Sequence, residues 1–365
     1  MKRLALAAAA SLLLAKPAGA TVELKYNNWS PPRSLEGQMI PKVAADLEKA
    51  TNGNVKIRVF GGGQLLSGPA TLAGLRDGAI DMGFIIPTLN PGELRHVSMI
   101  PELLPFATNG LAAAAAADQT IMLDCPECRQ DFDAQNSIWL GSIGASPWHL
   151  MCRDPLTSLA DMKNRKSRVT GGMAARMLEA LGGIGVQMTP PEIAQALTGR
   201  QIDCTVGPLD WMLGLRLTET VKTLVDHNLG IYAGIGVFVF NKASLAKIPA
   251  ADREILRREI PKHIADMSLA YQTRIAEVKD ASRKANITLW SPSQDFRDAL
   301  AKFKAGEIQA IAADMTKRNV QNPERLIRLH LANIEKWHKL MEGIGTDREK
   351  YVAALWNEIF SKVTF

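Results

Sequence analysis

From Pro155 to Pro208 the sequence changes its hydrophobic period several times in quick succession, and this constrains the fold more than any other feature. A short strand, Arg168-Val169-Thr170, runs into Gly171-Gly172. Helical spacing follows from Ala174 to Leu181, then a second strand near Val186 to Met188. Pro190-Pro191-Glu192 opens another helix that leads to Ile202-Asp203. Strands that alternate with helices specify an open α/β sheet rather than a bundle or a sandwich.

The same alternation occurs twice more. Val22 to Tyr26 alternates as a half-buried strand, and Trp29-Ser30-Pro31-Pro32 reads as a turn. A helix is predicted from Leu35 to Thr51, stopped by Asn52-Gly53. Val55 to Phe60, Pro69 to Asp77 and Ala79 to Ile86 read as strand, helix and strand, with Gly61 to Leu65 a flexible loop. The pattern restarts at Ile138 to Ile143 and returns in the β-rich run Ile231 to Phe240. Two α/β units joined by crossing strands enclose a cleft. Beyond Pro249 the pattern is almost wholly helical, apart from a short strand at Ile287 to Trp290. The apolar stripe from Asp252 to Lys284 is too long for an ordinary globular helix and suits a brace across both units. Phe296 to Lys317 and Pro323 to Met341 are further helices, and the alanine run Ala112 to Ala117 reads as helix. The predicted division is a signal peptide at 1–20, a first lobe at 21–145 to which 231–250 returns, a second lobe at 146–230, and a bracing helix with C-terminal helices at 251–365.

The start has the form of a secretory signal. Lys2-Arg3 precede an apolar run from Leu4 to Ala15, too short to span a bilayer, and Ala18-Gly19-Ala20 is a small-residue cleavage site. The mature chain is then expected to begin at Thr21, outside the cytoplasmic membrane. The formal charge of +6 falls to +3 once Lys2, Arg3 and Lys16 are removed. The basic side chains are scattered without interleaved aromatics, which argues against nucleic acid. Export also bears on the four cysteines. Cys125-Pro126-Glu127-Cys128 is expected to close a local disulfide, while Cys152 and Cys204 are buried thiols or a second pair. A redox motif opens a helix after a strand, whereas this one follows the alanine-rich segment and precedes a polar stretch. A zinc site needs two further ligands nearby, and none is clustered there. Gly61-Gly62-Gly63 lacks the G-K-[ST] ending of a phosphate loop, so no cofactor or metal is expected.

Several segments, in order, resemble the substrate-binding proteins of TRAP transporters, the DctP-like family. LKYNNWSPP is similar to that family's opening strand and W-x-P-P. GGGQLLSGPATLAGLRDGAIDMGF is similar to its glycine-rich loop and the helix–strand unit after it, and PELLPF to its LPF element. The segment around Arg168 resembles DLKGLKIR, Glu192 to Cys204 resembles E-x-x-x-A-L-x-x-G-x-x-D-G, and Asn241-Lys242 with the residues after it resembles N-K-x-x-W-x-x-L-P. The likeness spans nearly the whole mature chain. It implies a two-lobed periplasmic binding protein fold, a small organic acid as ligand, and transporter membrane subunits as partners. It implies no catalysis. Arg200 and Cys204 stand where the family has glycines, Val206-Gly207-Pro208 where it often has Glu-Asn-Pro, and Pro147-Trp148 where some members carry a second arginine.

Arg168 is the main candidate for the ligand. Read alone, it is a surface arginine in a basic run with Lys163, Arg165 and Lys166; the resemblance makes it the planar fork that grips a carboxylate. Trp29, Trp148 and Trp211 fit either cleft walls or core, since an indole offers a broad apolar face and one donor. If Trp148 and Trp211 line the site, the ligand has an apolar or aromatic part. His149 adjoins Trp148 and fits a ligand contact or a core position. Thr88 and Asn90 follow the third strand, at the carboxyl end where open α/β sheets bind ligands, but Pro87 and Pro91 also explain them as turn residues. Glu192 and Asp203 read as structural. The rival functions are a secreted thiol–disulfide protein using Cys125 and Cys128, and a binding protein for an ABC importer or sensor. No hydrolase motif is present.

Overall fold

A computed structural model describes residues 21–364; the expected signal peptide lies outside them. The fold is mixed α/β, with two six-stranded sheets. The first sheet uses β1 (Val22–Asn27), β2 (Val55–Phe60), β3 (Met82–Ile85), β4 (Ser137–Trp139), β5 (Ser142–Ile143) and β11 (Ile235–Asn241). The second uses β6 (Trp148–Cys152), β7 (Lys166–Val169), β8 (Ile184–Gln187), β9 (Cys204–Pro208), β10 (Thr223–Val225) and β12 (Thr288–Trp290).

In the first sheet the order is β2-β1-β3-β11-β4, with β5 also on β11. The strands β2, β1 and β3 run parallel, as βαβ crossovers require, and β11 returns antiparallel to β3. The second sheet runs β12-β10-β6-β9-β7-β8. Here β7 lies between β9 and β8, parallel to both, so its backbone is paired on both edges. The chain passes between the sheets three times, after β5, after β10 and, through the helix Ala250–Lys284, after β11.

Local chemistry fixes the elements. Ser34 caps the helix Leu35–Ala50 by accepting the Gly37 N–H at 3.1 Å, and Asn52 and Gly53 end it with positive φ. The helix Ala250–Lys284 packs against Leu35–Ala50 and β5 on one side, and against Trp211–Gly214 and β12 on the other. The alanine helix, Gly110–Gln119, is buried along its whole length, because methyl side chains let Ala250–Lys284 and Pro323–Ile344 approach closely. No described helix is long and apolar enough to cross a membrane.

Two disulfides form, Cys125–Cys128 and Cys152–Cys204. Cys152 and Cys204 face each other across the antiparallel β6–β9 pair. The C-x-x-C segment corrects one sequence expectation. It does open a helix, Pro126–Asp133, with the Cys125 sulfur accepting the Cys128 N–H at 3.0 Å. What sets it apart from a working redox site is burial, since both cysteines are fully enclosed in the core.

Candidate functional site

A cleft, with about 630 Å³ of space counting the part open to solvent, is lined by residues from both sheets. Its walls are mostly aromatic and aliphatic. Trp29 and Phe84 come from the first sheet's side, Trp148, Arg168 and Trp211 from the second's, and Tyr232 from the second crossing.

Arg168 is set by β7, where Ser167, Arg168 and Val169 are all buried. It is only 2% exposed, unlike its neighbours Lys163 and Lys166. Its Nε donates to the Met188 carbonyl at 2.8 Å and its Nη1 to the Val206 carbonyl at 3.2 Å. The guanidinium carbon sits 4.9 Å from the centre of the Trp211 ring. No described carboxylate pairs with it within 4.0 Å. Burial therefore pushes Arg168 down to about 9, against weaker upward pulls from Tyr232 and Glu192. Nη2 makes no hydrogen bond to a described residue. The site holds a fixed, buried cation with no described carboxylate in ion-pair contact.

Gly207 makes room for the indole. A Cβ there would lie 2.1 Å from the Trp211 ring, so only glycine lets Trp211 lie flat beside β9 and over Arg168. Opposite, Trp148 stacks on Tyr232 with ring centres 5.1 Å apart and planes 9° from parallel. The Trp148 Nε1 is buried without a hydrogen-bond partner among the described residues. Trp29 is oriented by its own bond, from Nε1 to the Phe84 carbonyl at 2.7 Å.

The structure brings Arg168, Trp29, Trp148 and Trp211 to one cavity. The other three candidates lie elsewhere. Thr88 stands behind Tyr232, 2.7 Å from its hydroxyl, and 3.2 Å from the Thr170 hydroxyl. Asn90 donates its amide to the Pro69 carbonyl at 2.9 Å. His149 alternates with Trp148 along β6 and faces away, with Nδ1 2.9 Å from the Pro147 carbonyl. Burial pushes it down to about 4, so it is neutral. Three residues that the sequence reading did not single out also matter. Tyr232 and Glu36 line the cavity, and Glu102 joins its two sides.

Glu102 reaches from the short helix Met99–Glu102 to the N-terminus of Gly171–Ala180, the helix that follows β7. Its carboxylate accepts the Gly172 N–H at 2.9 Å and also the Met173 N–H. A helix N-terminus favours such a charge. Gly171 has φ +79°, and a Cβ there would lie 2.3 Å from the Glu102 Oε1, so the close approach needs glycine. Burial raises Glu102, and the two backbone bonds oppose that rise.

The model of one family, bacterial extracellular solute-binding protein family 7 (DctP), matches residues 26–316. The C4-dicarboxylate-binding periplasmic protein DctP of Rhodobacter capsulatus is 25% identical over 273 residues, 69% of this chain and 75% of that protein. Among solved structures, a TRAP solute-binding protein of Rhodoferax ferrireducens with copurified benzoate superposes with TM-score 0.76 at 22% identity, covering 88% of this chain and 99% of that one. A marine metagenome TRAP solute-binding protein specific for aromatic acid ligands, in complex with metahydroxyphenylacetate, also gives TM-score 0.76, at 20% identity, with 87% and 99% covered. The family is one of extracytoplasmic binding proteins, not of enzymes. With two sheets around a cleft and a family match over most of its length, the chain belongs to the bacterial extracellular solute-binding protein family 7, the DctP-like proteins of TRAP transport.

Proposed function

We propose that this protein captures a small aromatic monocarboxylate between its lobes and delivers it to the membrane subunits of a TRAP transporter. The observation that carries this reading is the buried Arg168 guanidinium, without a carboxylate partner, in an aromatic-walled cavity. A carboxylate supplies the missing charge and binds the fork in two places, and a dry site strengthens the pair. The neighbours' benzoate and metahydroxyphenylacetate support a ring between Trp148, Trp211 and Trp29. Arg168 is the one basic residue among the described cavity lining, so a C4-dicarboxylate leaves its second charge uncompensated. In this reading residues 1–20 are the export signal, cleaved after Ala20. The lobes are 21–145 with 231–250, and 146–230, braced by 251–365. No step of catalysis is involved, and the enclosed Cys125–Cys128 pair does not support the thiol–disulfide alternative.

Thermal shifts of residues 21–365 test the ligand class. Benzoate, phenylacetate and 3-phenylpropanoate are compared with succinate and malate. A ligand at 100 times its Kd stabilises by about 2.7 kcal/mol, which is readily seen. At least one aryl acid is expected to raise Tm clearly, with little effect from either dicarboxylate. A dicarboxylate that outperforms every aryl acid sinks the reading.

Closure is held in part by Glu102. Each hydrogen bond to a charged group contributes about 1.5–3 kcal/mol, and Glu102 makes two between the lobes. Glu102→Ala is therefore expected to favour the open form and weaken ligand binding roughly tenfold or more, without touching the ligand. Small-angle scattering of the ligand-free variant should show a larger radius of gyration than wild type, converging when ligand saturates. Unchanged affinity and unchanged scattering would rule the latch out.

A further inference from the structure

A second charged side chain lines the cavity, from the helix that follows β1. Glu36 is the second residue of the helix Leu35–Ala50 and lines the cavity while only 8% exposed. Its backbone is anchored, with the Asn28 side-chain amide donating to its carbonyl at 3.2 Å. The Tyr271 hydroxyl, from the bracing helix, donates to Oε1. The other oxygen, Oε2, makes no hydrogen bond to a described residue. No described lysine, arginine or histidine lies within ion-pair distance of this carboxylate. Glu36 is an acceptor with open capacity, held at the wall of an apolar cavity, on the lobe facing the one that carries Arg168.

The surroundings decide between a neutral and a charged donor. Asp210 is fully enclosed, and both its carboxyl oxygens lack a partner. It sits where the lobes touch. A Cβ on Gly214 would lie 3.3 Å from the Ser34 Cα, at the cap of the Glu36 helix, and 3.7 Å from the Asp210 Oδ2. Burial, and then the charge of Glu36, raise Asp210 well above its ordinary value. Arg274, nearly one turn beyond Tyr271, acts on Asp210 and Tyr271 in the opposite sense. Arg274 already supplies a positive charge to this cluster, and what Oε2 of Glu36 lacks among the described residues is a hydrogen-bond donor.

We propose that Glu36 selects ligands with a hydroxyl group on the end opposite the carboxylate, so that the preferred substrates are hydroxylated aromatic acids gripped by Arg168 at one end and Glu36 at the other. This rests on the carboxylate-binding reading of the cleft. A hydroxyl donating to Oε2 makes a charge-assisted bond in a site shielded from water. A ring without it leaves a desolvated carboxylate oxygen unpaired. A second carboxylate is repelled by the same oxygen.

Calorimetric titration tests this with phenylacetate and its 2-, 3- and 4-hydroxy isomers, 3-phenylpropanoate and its 4-hydroxy form, and 4-(aminomethyl)phenylacetate. At least one hydroxy acid is expected to bind tenfold or more tightly than its parent. In Glu36→Leu that ratio should fall to near one. In Glu36→Gln, where a neutral amide oxygen still accepts, it should fall to about threefold, so a misfolded leucine variant does not remove the test. Equal binding of parent and hydroxy acids overturns the proposal, as does a preference that survives both variants or a best ligand that is the aminomethyl acid. If the parents bind and Arg168→Ala abolishes that binding, the cleft reading stands while the role of Glu36 fails. If no aryl acid binds at all, both fall together.

Discussion

Arg168→Ala is expected to weaken carboxylate binding by about 30-fold to several thousand-fold, since truncating one partner of a buried, hydrogen-bonded charge pair costs about 2–5 kcal/mol. The Met188 and Val206 carbonyls, at 2.8 and 3.2 Å, fix the plane of the fork, and Trp211 covers its face. Little rotamer freedom then remains to be lost when the ligand arrives. Arg168→Lys keeps the charge but cannot hold both carbonyls and grip a carboxylate with two parallel donors. It should recover only part of the loss. The stability of the empty protein should move the other way. A buried guanidinium with no anion is unfavourable, so ligand-free Arg168→Ala is expected to melt at the same temperature as wild type or higher. Titration calorimetry and ligand-free melting curves check both halves. A variant within threefold of wild type in affinity removes Arg168 from the site. One that melts many degrees lower with affinity retained makes it a structural residue.

Much of the fold is legible because hydrophobic period is a local property. The strands β1 and β2 and the helices Leu35–Ala50 and Ala250–Lys284 stand where apolar spacing and stop residues place them. The helix Arg348–Glu358 shows that polar, short elements are harder to read, as it buries only Tyr351 and Leu355. The site is less legible because depth is not local. Lys163, Lys166 and Arg168 look alike in sequence, yet Lys166 opens β7 exposed while Arg168, further along the strand, is buried at the cavity. Glu36 and Glu102 look like ordinary acids of a first helical turn and a loop region. Their roles come from partners more than sixty residues away, Glu36 from Tyr271 and Glu102 from Gly172 and Met173. Thr88 and Asn90 do lie at a strand's carboxyl end, but Tyr232 and the Pro69 carbonyl take their side chains. The pairing of Cys152 with Cys204 likewise depends on the register of β6 against β9, which periodicity does not specify.

That pairing leads to the largest expected effect on stability. Cys152 and Cys204 are 52 residues apart, and closing a loop of that size removes unfolded-state entropy worth about 4 kcal/mol. Cys125 and Cys128 are only 3 apart, for which the same relation gives about 2 kcal/mol. The double substitution Cys152→Ala with Cys204→Ala should therefore lower the denaturant midpoint much more than Cys125→Ala with Cys128→Ala. The location matters as much as the loop length. Inside the closed loop lie β7, with Arg168, and β8, while β6 and β9 at its ends carry Trp148, Val206 and Gly207. Losing the bridge loosens the sheet that supplies one wall and the cation of the cavity. Hydrogen exchange should thus quicken in β6, β7 and β9 before it does in β1 and β3. Both sulfur pairs are enclosed, so a thiol reductant should act slowly on the native protein and quickly once denaturant opens it. A Cys152/Cys204 variant that unfolds within about 1 kcal/mol of wild type would mean the second lobe is held by its sheet alone. Exchange that quickens uniformly in both sheets would mean the two lobes unfold as one unit, with the bridge acting on the whole chain rather than on the wall that holds Arg168.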